Sequence, residues 1–256
     1  MTTTAASRFA GKSVLITGGG SGTGADMALA FAEAGARVVI SGRRPAALER
    51  MADRHAHIIP VVADVTDEAQ VAALFAVAGV PDIVIANAGV ADSNRLSRTT
   101  LAQWQQMLAV NLTGVFLTFR AGLQALEQDG RHWGRLIAVA STAGLRGQAY
   151  AGAYAASKHG VLGLVRSAAL EVARQGVTVN AICPAYLDTE MTENTIRKVM
   201  QKTGRNREQA VAALCRHNPQ GRLIAPAEVT ATALWLCSEG ADSINGQAVT
   251  LDGGQA

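Results

Sequence analysis

Lys12-Ser13-Val14-Leu15-Ile16-Thr17-Gly18-Gly19-Gly20-Ser21-Gly22-Thr23-Gly24 is a short apolar run that breaks into a cluster of glycines. Residues 12–17 read as a buried strand, and the alanine-rich run at 25–34 reads as a helix. Strand, glycine loop and helix in succession are the setting in which a dinucleotide-phosphate fingerprint has physical meaning. Gly18 permits a tight turn, Gly22 lets backbone approach a pyrophosphate, and Gly24 allows the helix to pack closely. The anion then sits at a helix N-terminus whose N–H groups have no acceptor of their own. The spacing is Gly-x-x-x-Gly-x-Gly and not the commoner Gly-x-Gly-x-x-Gly. By themselves these residues also allow a glycine-rich turn with no ligand.

Working outward, the pattern repeats. Strands are expected at 37–41, 58–63, 82–86, 136–140, 177–182 and 247–251, with helices at 45–54, 67–77, 99–127, 154–175 and 226–238. Such alternation implies right-handed crossovers and a parallel sheet covered on both faces. The expected fold is therefore α/β, a doubly wound parallel sheet in a single-domain Rossmann arrangement over 1–256. No linker, repeat or low-complexity stretch divides the chain. Residues 1–9, small and polar, are expected to be a disordered arm.

Composition excludes several classes. Of the 256 residues 49% are hydrophobic, enough for one large core, and the net charge of +3 is too small and scattered for nucleic-acid binding. No run is long and apolar enough to span a membrane, and no secretory leader precedes the first strand. Cys183, Cys215 and Cys237 lie far apart without metal-ligand spacing, as expected of reduced thiols in a cytoplasmic protein. His55, His57, His132 and His217 show no ligand spacing either, so no metal is expected.

Two further stretches carry chemistry. After the second strand comes Ser41-Gly42-Arg43-Arg44, with glycine where a free ribose 2′-hydroxyl would call for a carboxylate. No acid repels a 2′-phosphate there, and Arg43 offers a guanidinium to pair with one, which favours NADP over NAD. The plainer reading is a pair of solvated arginines at the start of a helix. The other stretch runs from Ser141 at a strand end to Tyr154 and Lys158 in a helix. Tyr154 and Lys158 are i and i+4, on one helical face, so an ammonium beneath the phenol would favour its ionised form. With Ser141 offering a hydroxyl to the same oxygen and no histidine base nearby, the set suits proton exchange with an alcohol or ketone. Such a Tyr-Lys pair also occurs by chance, and an in-helix Asn111 is often only locally bonded. His159, about 100° round the helix from Lys158, is expected to have no catalytic role.

Thr17-Gly18-x-x-x-Gly22-x-Gly24, Asn87-Ala88-Gly89, Asn111, Ser141 and Tyr154-x-x-x-Lys158 together closely resemble the short-chain dehydrogenase/reductase family, in its branch of about 250 residues. The resemblance spans the chain from Gly11 to Gly254. It implies an NAD(P)-dependent oxidoreductase with Tyr154 as acid/base. Lys158 would lower the tyrosine pKa and bond the nicotinamide ribose, Ser141 would orient the substrate oxygen, and Asn111 would hold a water linking Lys158 to solvent. It further implies Gly18, Ser21, Gly22, Thr23 and Gly24 at the pyrophosphate, with Asp64 and Val65 at adenine. Asn87 and Ala88 would lie beside the adenine ribose, and Thr189 at the nicotinamide carboxamide. Thr23 and Ala185 depart from the family's usual branched apolar residue and glycine. The rival from another class is a catalytically silent dinucleotide-binding scaffold, which has no need of all four of Asn111, Ser141, Tyr154 and Lys158.

Substrate is the least legible property. A lid is expected at about 190–225. From Thr192 to Arg222 it holds seven basic residues against Glu193 and Glu208. Such a lid suits an anionic substrate such as a 3-hydroxyacyl or 3-oxoacyl thioester of coenzyme A (acyl-CoA); otherwise its charges only keep it soluble. The competing substrate is a small cyclic or aromatic secondary alcohol in a pocket lined by Tyr186, Met191 and Leu145. The helices at 99–127 and 154–175 carry apolar residues over more of their circumference than one sheet face needs, Val110, Leu112, Val115, Phe116, Leu117 and Phe119 among them, which suggests oligomerisation, and the family resemblance implies a homodimer or homotetramer.

Overall fold

The computed structural model describes residues 8–255. Seven parallel strands form one sheet in the order β3-β2-β1-β4-β5-β6-β7. These are β1 (Ser13–Thr17), β2 (Arg37–Gly42), β3 (Ile58–Val62), β4 (Ile83–Ala86), β5 (Gly134–Val139), β6 (Val177–Pro184) and β7 (Ala248–Leu251). The central strands are apolar on both faces and buried, as a sheet covered on both sides requires. β3 alternates between buried and open positions and carries Pro60, tolerable because it lies at an edge.

Helices α1 (Gly22–Glu33), α2 (Pro45–Ala52), α3 (Glu68–Ala78), α4 (Leu101–Leu108), α5 (Gly114–Asp129), α6 (Gly152–Val172), α7 (Glu190–Thr203), α8 (Arg207–Cys215) and α9 (Pro226–Leu236) fill the crossovers and the lid. One apolar layer packs α1 and α9 against Ile16, Ile40, Ile85 and Ile182; the other packs α3, α5 and α6 against Leu15, Val84, Leu136 and Val179. α1 and α9 meet directly, and Thr230 Oγ1 donates to Asp26 Oδ2 at 2.5 Å.

Three expectations change. The helix at 99–127 is two helices, α4 and α5, joined by a widened π-turn over Ala109–Thr113. Of its six apolar residues, Val110, Val115, Leu117 and Phe119 are buried, and Leu112 packs on Gly160 of α6. Only Phe116 stays open, 40% exposed, so the surplus apolar surface is smaller than the sequence suggests. Of the arm at 1–9, residues 1–7 lie outside the described residues. Phe9 belongs to the core: it is buried, with its ring edge-on to Phe31 at 5.1 Å. The three cysteines are buried and unpaired.

The order places β1 beside β4, where chain connections leave in opposite directions. A crevice opens at that point, at the C-terminal strand ends, where ligands of such sheets bind.

Candidate active site

The glycine loop is shaped by neighbouring backbone. Gly18 has φ of 68°, and a Cβ there would come within 2.9 Å of Ala88 Cα. A Cβ on Gly24 would collide with the Gly18 carbonyl oxygen. Asn87 locks the two strand ends together: its Nδ2 donates to the carbonyls of Thr17 and Gly18 at 3.0 and 3.2 Å. Thr17 Oγ1 accepts in turn from the N–H groups of Asn87 and Ala88. Gly22 differs, because a Cβ there would meet only the Thr189 methyl at 3.5 Å. Above Gly22 the loop is therefore open, and Ser21 caps α1 without a side-chain bond. An open cradle at a helix N-terminus fits a pyrophosphate group. Thr23 is buried, and Thr189, the residue before α7, faces the cradle.

Where the family resemblance implies adenine, Val65 is buried against Gly114, and Asp64 accepts from the N–H and hydroxyl of Thr66. Arg43 lies 3.8 Å from Asp64 and is mostly exposed. Arg44 donates to Ser21 Oγ at 2.8 Å and approaches Glu190 at the start of α7. β2 closes on Gly42, with no carboxylate at its end.

Ser141 follows β5 and caps the short turn Thr142–Gly144, its Oγ accepting from the Ala143 N–H at 3.1 Å. Its own O–H is thus left to donate. The turn is held against α6, since a Cβ on Gly144 would press within 2.8 Å of the Lys158 carbonyl oxygen. Lys158 is 5% exposed, and its Nζ donates to the Val139 carbonyl at 2.8 Å. Burial lowers its pKa to about 8, with a small opposing influence from Cys183. Cys183 is itself pushed up to about 11 by burial, so it stands beside the site as a neutral thiol.

Tyr154 departs from expectation. Lys158 Nζ lies 5.7 Å from its ring centre, one turn away as the spacing predicts. Yet the phenol pKa is raised, by burial first, with the Ser141 hydroxyl acting in the opposite direction and Tyr186 and Cys183 adding to the rise. The ammonium is turned to the Val139 carbonyl, and desolvation outweighs it. In the chain by itself Tyr154 is a neutral acid.

Asn111, in the π-turn, is fully buried and bonded at both ends: Oδ1 accepts from the Val90 N–H at 2.8 Å, and Nδ2 donates to the Val90 carbonyl at 2.9 Å. That side chain is committed to the loop after β4, which passes Lys158: a Cβ on Gly89 would sit 4.0 Å from Nζ. It positions that loop, while Oδ1, accepting a single bond, keeps one lone pair. His159 turns to the Ala155 carbonyl, outside the site.

A family model for short chain dehydrogenases matches residues 12–200. The chain belongs to that family. The D-beta-hydroxybutyrate dehydrogenase of Rhizobium meliloti is 35% identical over 254 aligned positions, covering 95% of this chain and 98% of the relative. Levodione reductase of Leifsonia aquatica is also 35% identical, over 100% of this chain and 98% of its own. Among solved structures, a variant of actinorhodin polyketide ketoreductase with NADPH superposes with a TM-score of 0.89 at 31% identity, covering 95% and 97% of the two chains. This short-chain dehydrogenase is thus an oxidoreductase of secondary alcohols and ketones, with the Rossmann sheet that the alternation implies.

Three contacts around the dehydrogenase's cleft carry no sequence motif. Lys198 of α7 pairs with Asp92 of the loop after β4 at 2.9 Å. The Asn94 N–H donates to the carbonyl of Tyr150, which has φ of 65° and is the only non-glycine residue at positive φ among the described residues. Gln148 Nε2 donates to the Tyr186 phenol oxygen at 2.5 Å. Only the polar character of 146–150, between Ser141 and Tyr154, hinted at the last two.

Proposed function

We propose that this dehydrogenase interconverts a small cyclic or aromatic secondary alcohol and its ketone, with NADP as hydride carrier. The observation that carries the chemistry is the convergence of Ser141, Tyr154 and Lys158 beside an open phosphate cradle. The bound nicotinamide supplies the hydride donor or acceptor. In reduction Tyr154, a neutral acid, gives its proton to the carbonyl oxygen while Ser141 donates a hydrogen bond to the same atom. Lys158 is anchored by Val139 with its remaining N–H groups free for a ribose hydroxyl, and Asn111 holds the adjoining loop in register. Thr189 and the glycine loop hold the cofactor between them, and Arg43 and Arg44 favour a 2′-phosphate. The chain is expected to assemble as a homodimer or homotetramer.

The small-substrate reading is favoured over an acyl-CoA by the fate of the lid's cations. Arg207 pairs with Glu193, Arg222 with Glu228, and Lys198 with Asp92, so three of the seven basic residues are already matched. A panel of ketones, run with NADPH and NADH on wild type and Tyr154→Phe, tests the whole reading. Loss of at least about a thousandfold in kcat in the variant and tighter binding of NADPH are expected. Equal rates in the two proteins would remove Tyr154 from the mechanism, and tighter NADH binding would make the arginines surface charge only. Faster reduction of acetoacetyl-CoA than of the carrier-free ketone at low salt, abolished at high salt, would restore the anionic substrate.

A further inference from the structure

Gln148 and Tyr186 come from separate elements and meet over the site. Gln148 lies in the loop between Ser141 and Tyr154. Tyr186 is the second residue beyond β6, the strand that pairs with β5, and β5 leads directly to Ser141. Their bond joins the two loops that leave these neighbouring strands. The Tyr186 phenol lies near enough to Tyr154 to disfavour its ionisation, and burial raises the Tyr186 pKa in turn.

The hydrogen-bond inventory of the pair is incomplete. Tyr186 accepts from Gln148 but, among the described residues, donates to none, and the Gln148 Oε1 receives nothing. Turning the amide over exchanges these roles and still leaves an N–H donor unspent. An amide and a phenol beside the reactive tyrosine, neither able to carry charge at neutral pH, match an uncharged oxygen better than a carboxylate. Arg146 on the same loop is exposed.

We propose that Gln148 and Tyr186 form a neutral hydrogen-bonding subsite for a second oxygen of the substrate, so that diketones and hydroxyketones are preferred over simple monoketones. The inference rests on ketone reduction at Tyr154 and deepens it. Gln148 is exposed and Tyr186 half-buried, so water pairs with them in the free chain, and a second substrate oxygen gains affinity by replacing that water with the same bonds as the substrate covers the pair.

The test compares kcat/KM for cyclohexanone, cyclohexane-1,2-dione, cyclohexane-1,4-dione and 4-oxocyclohexanecarboxylate in wild type, Tyr186→Phe and Gln148→Leu, with NADPH affinity as the check on folding. The readout is the ratio of dione to monoketone, counted per carbonyl. At least one dione is expected to exceed cyclohexanone by about tenfold or more in wild type, mostly through KM, and both variants should bring that ratio to within about threefold. A wild-type ratio near one, or a ratio that survives both substitutions, overturns the subsite while leaving cyclohexanone reduction through Tyr154 intact. A preference for the carboxylate that persists in Tyr186→Phe overturns it in favour of Arg146. Absence of any turnover that depends on Tyr154 would instead overturn the underlying reading of the site, and the subsite with it.

Discussion

Lys158 shows what a functional residue does to the stability of its own fold. Its folded pKa, about 8, lies below the ordinary 10.5, so folding disfavours the protonated form. The penalty is complete below pH 8 and fades as pH rises towards 10.5. A shift of this size corresponds to about 3 kcal/mol, from which about 1 kcal/mol is offset by the bond to Val139. Lys158→Met, similar in volume, is expected to make the cofactor-free protein more stable by about 1–2 kcal/mol at pH 7, and to abolish activity. Chemical denaturation at pH 7 and pH 10 checks this: the gap should narrow at the higher pH, and a less stable variant at pH 7 would refute it. Ser141, Tyr154 and Lys158 could be singled out in the sequence through their spacing, because i,i+4 geometry and strand-end position follow from local structure, whereas Asn111 entered only through the family resemblance. The direction of the Tyr154 shift was not legible, since desolvation depends on everything packed around the ring.

At the scale of elements the lid matters most. α7 carries polar residues on most of its surface, with only Thr192 and Ile196 buried, so little apolar area holds it down. Its Lys198–Asp92 pair bridges to the loop after β4, and both side chains are about half exposed. Desolvation is the largest single influence on Asp92 and raises its pKa, but the bonds from Lys198 and the Ser93 N–H, with the charges of Lys198 and Lys202, together outweigh it and lower the pKa. An exposed pair of this kind is worth about 0–1 kcal/mol, enough to bias a closure equilibrium and too little to affect folding. Lys198→Met is expected to raise KM about two- to fivefold with Tm nearly unchanged. In wild type, half-molar salt should produce the same rise, and a salt-independent KM in wild type would rule the clasp out. The segment where the sequence places a lid, between β6 and α9, holds α7 and α8. The lid's pairing was not legible, because Asp92 is 106 residues from Lys198 and nothing local links them. The π-turn at Ala109–Thr113 was hidden likewise, for its apolar period continues that of the flanking helices.

For the whole molecule, a parallel sheet covered on both faces could be anticipated from alternation and handedness, but the strand order could not, since orders such as 3-2-1-4-5 and 2-1-3-4-5 obey the same rule. Quaternary structure was harder, because apolar residues facing a partner and those facing α6 share one helical pattern. Among the large apolar side chains still exposed on α4, α5 and α6 are Leu101, Phe116, beneath the Arg120 guanidinium, and Leu170, 81% exposed. Phe116→Glu should convert an assembled wild type to monomer at micromolar concentration in light scattering. A monomeric wild type would refute the proposed assembly, and an unchanged dimer would place the contact elsewhere. The meeting of α1 with α9 also bears on how the chain is made. Asp26 waits for Thr230, 204 residues later, which at ordinary rates of synthesis is roughly 10–40 s. Until then the side of α1 that faces α9 has no cover on the ribosome, although its other side already packs on Phe9 and the first two strands. A nascent polypeptide stalled before α9 would therefore offer that open side to chaperones, with six of the seven strands already made.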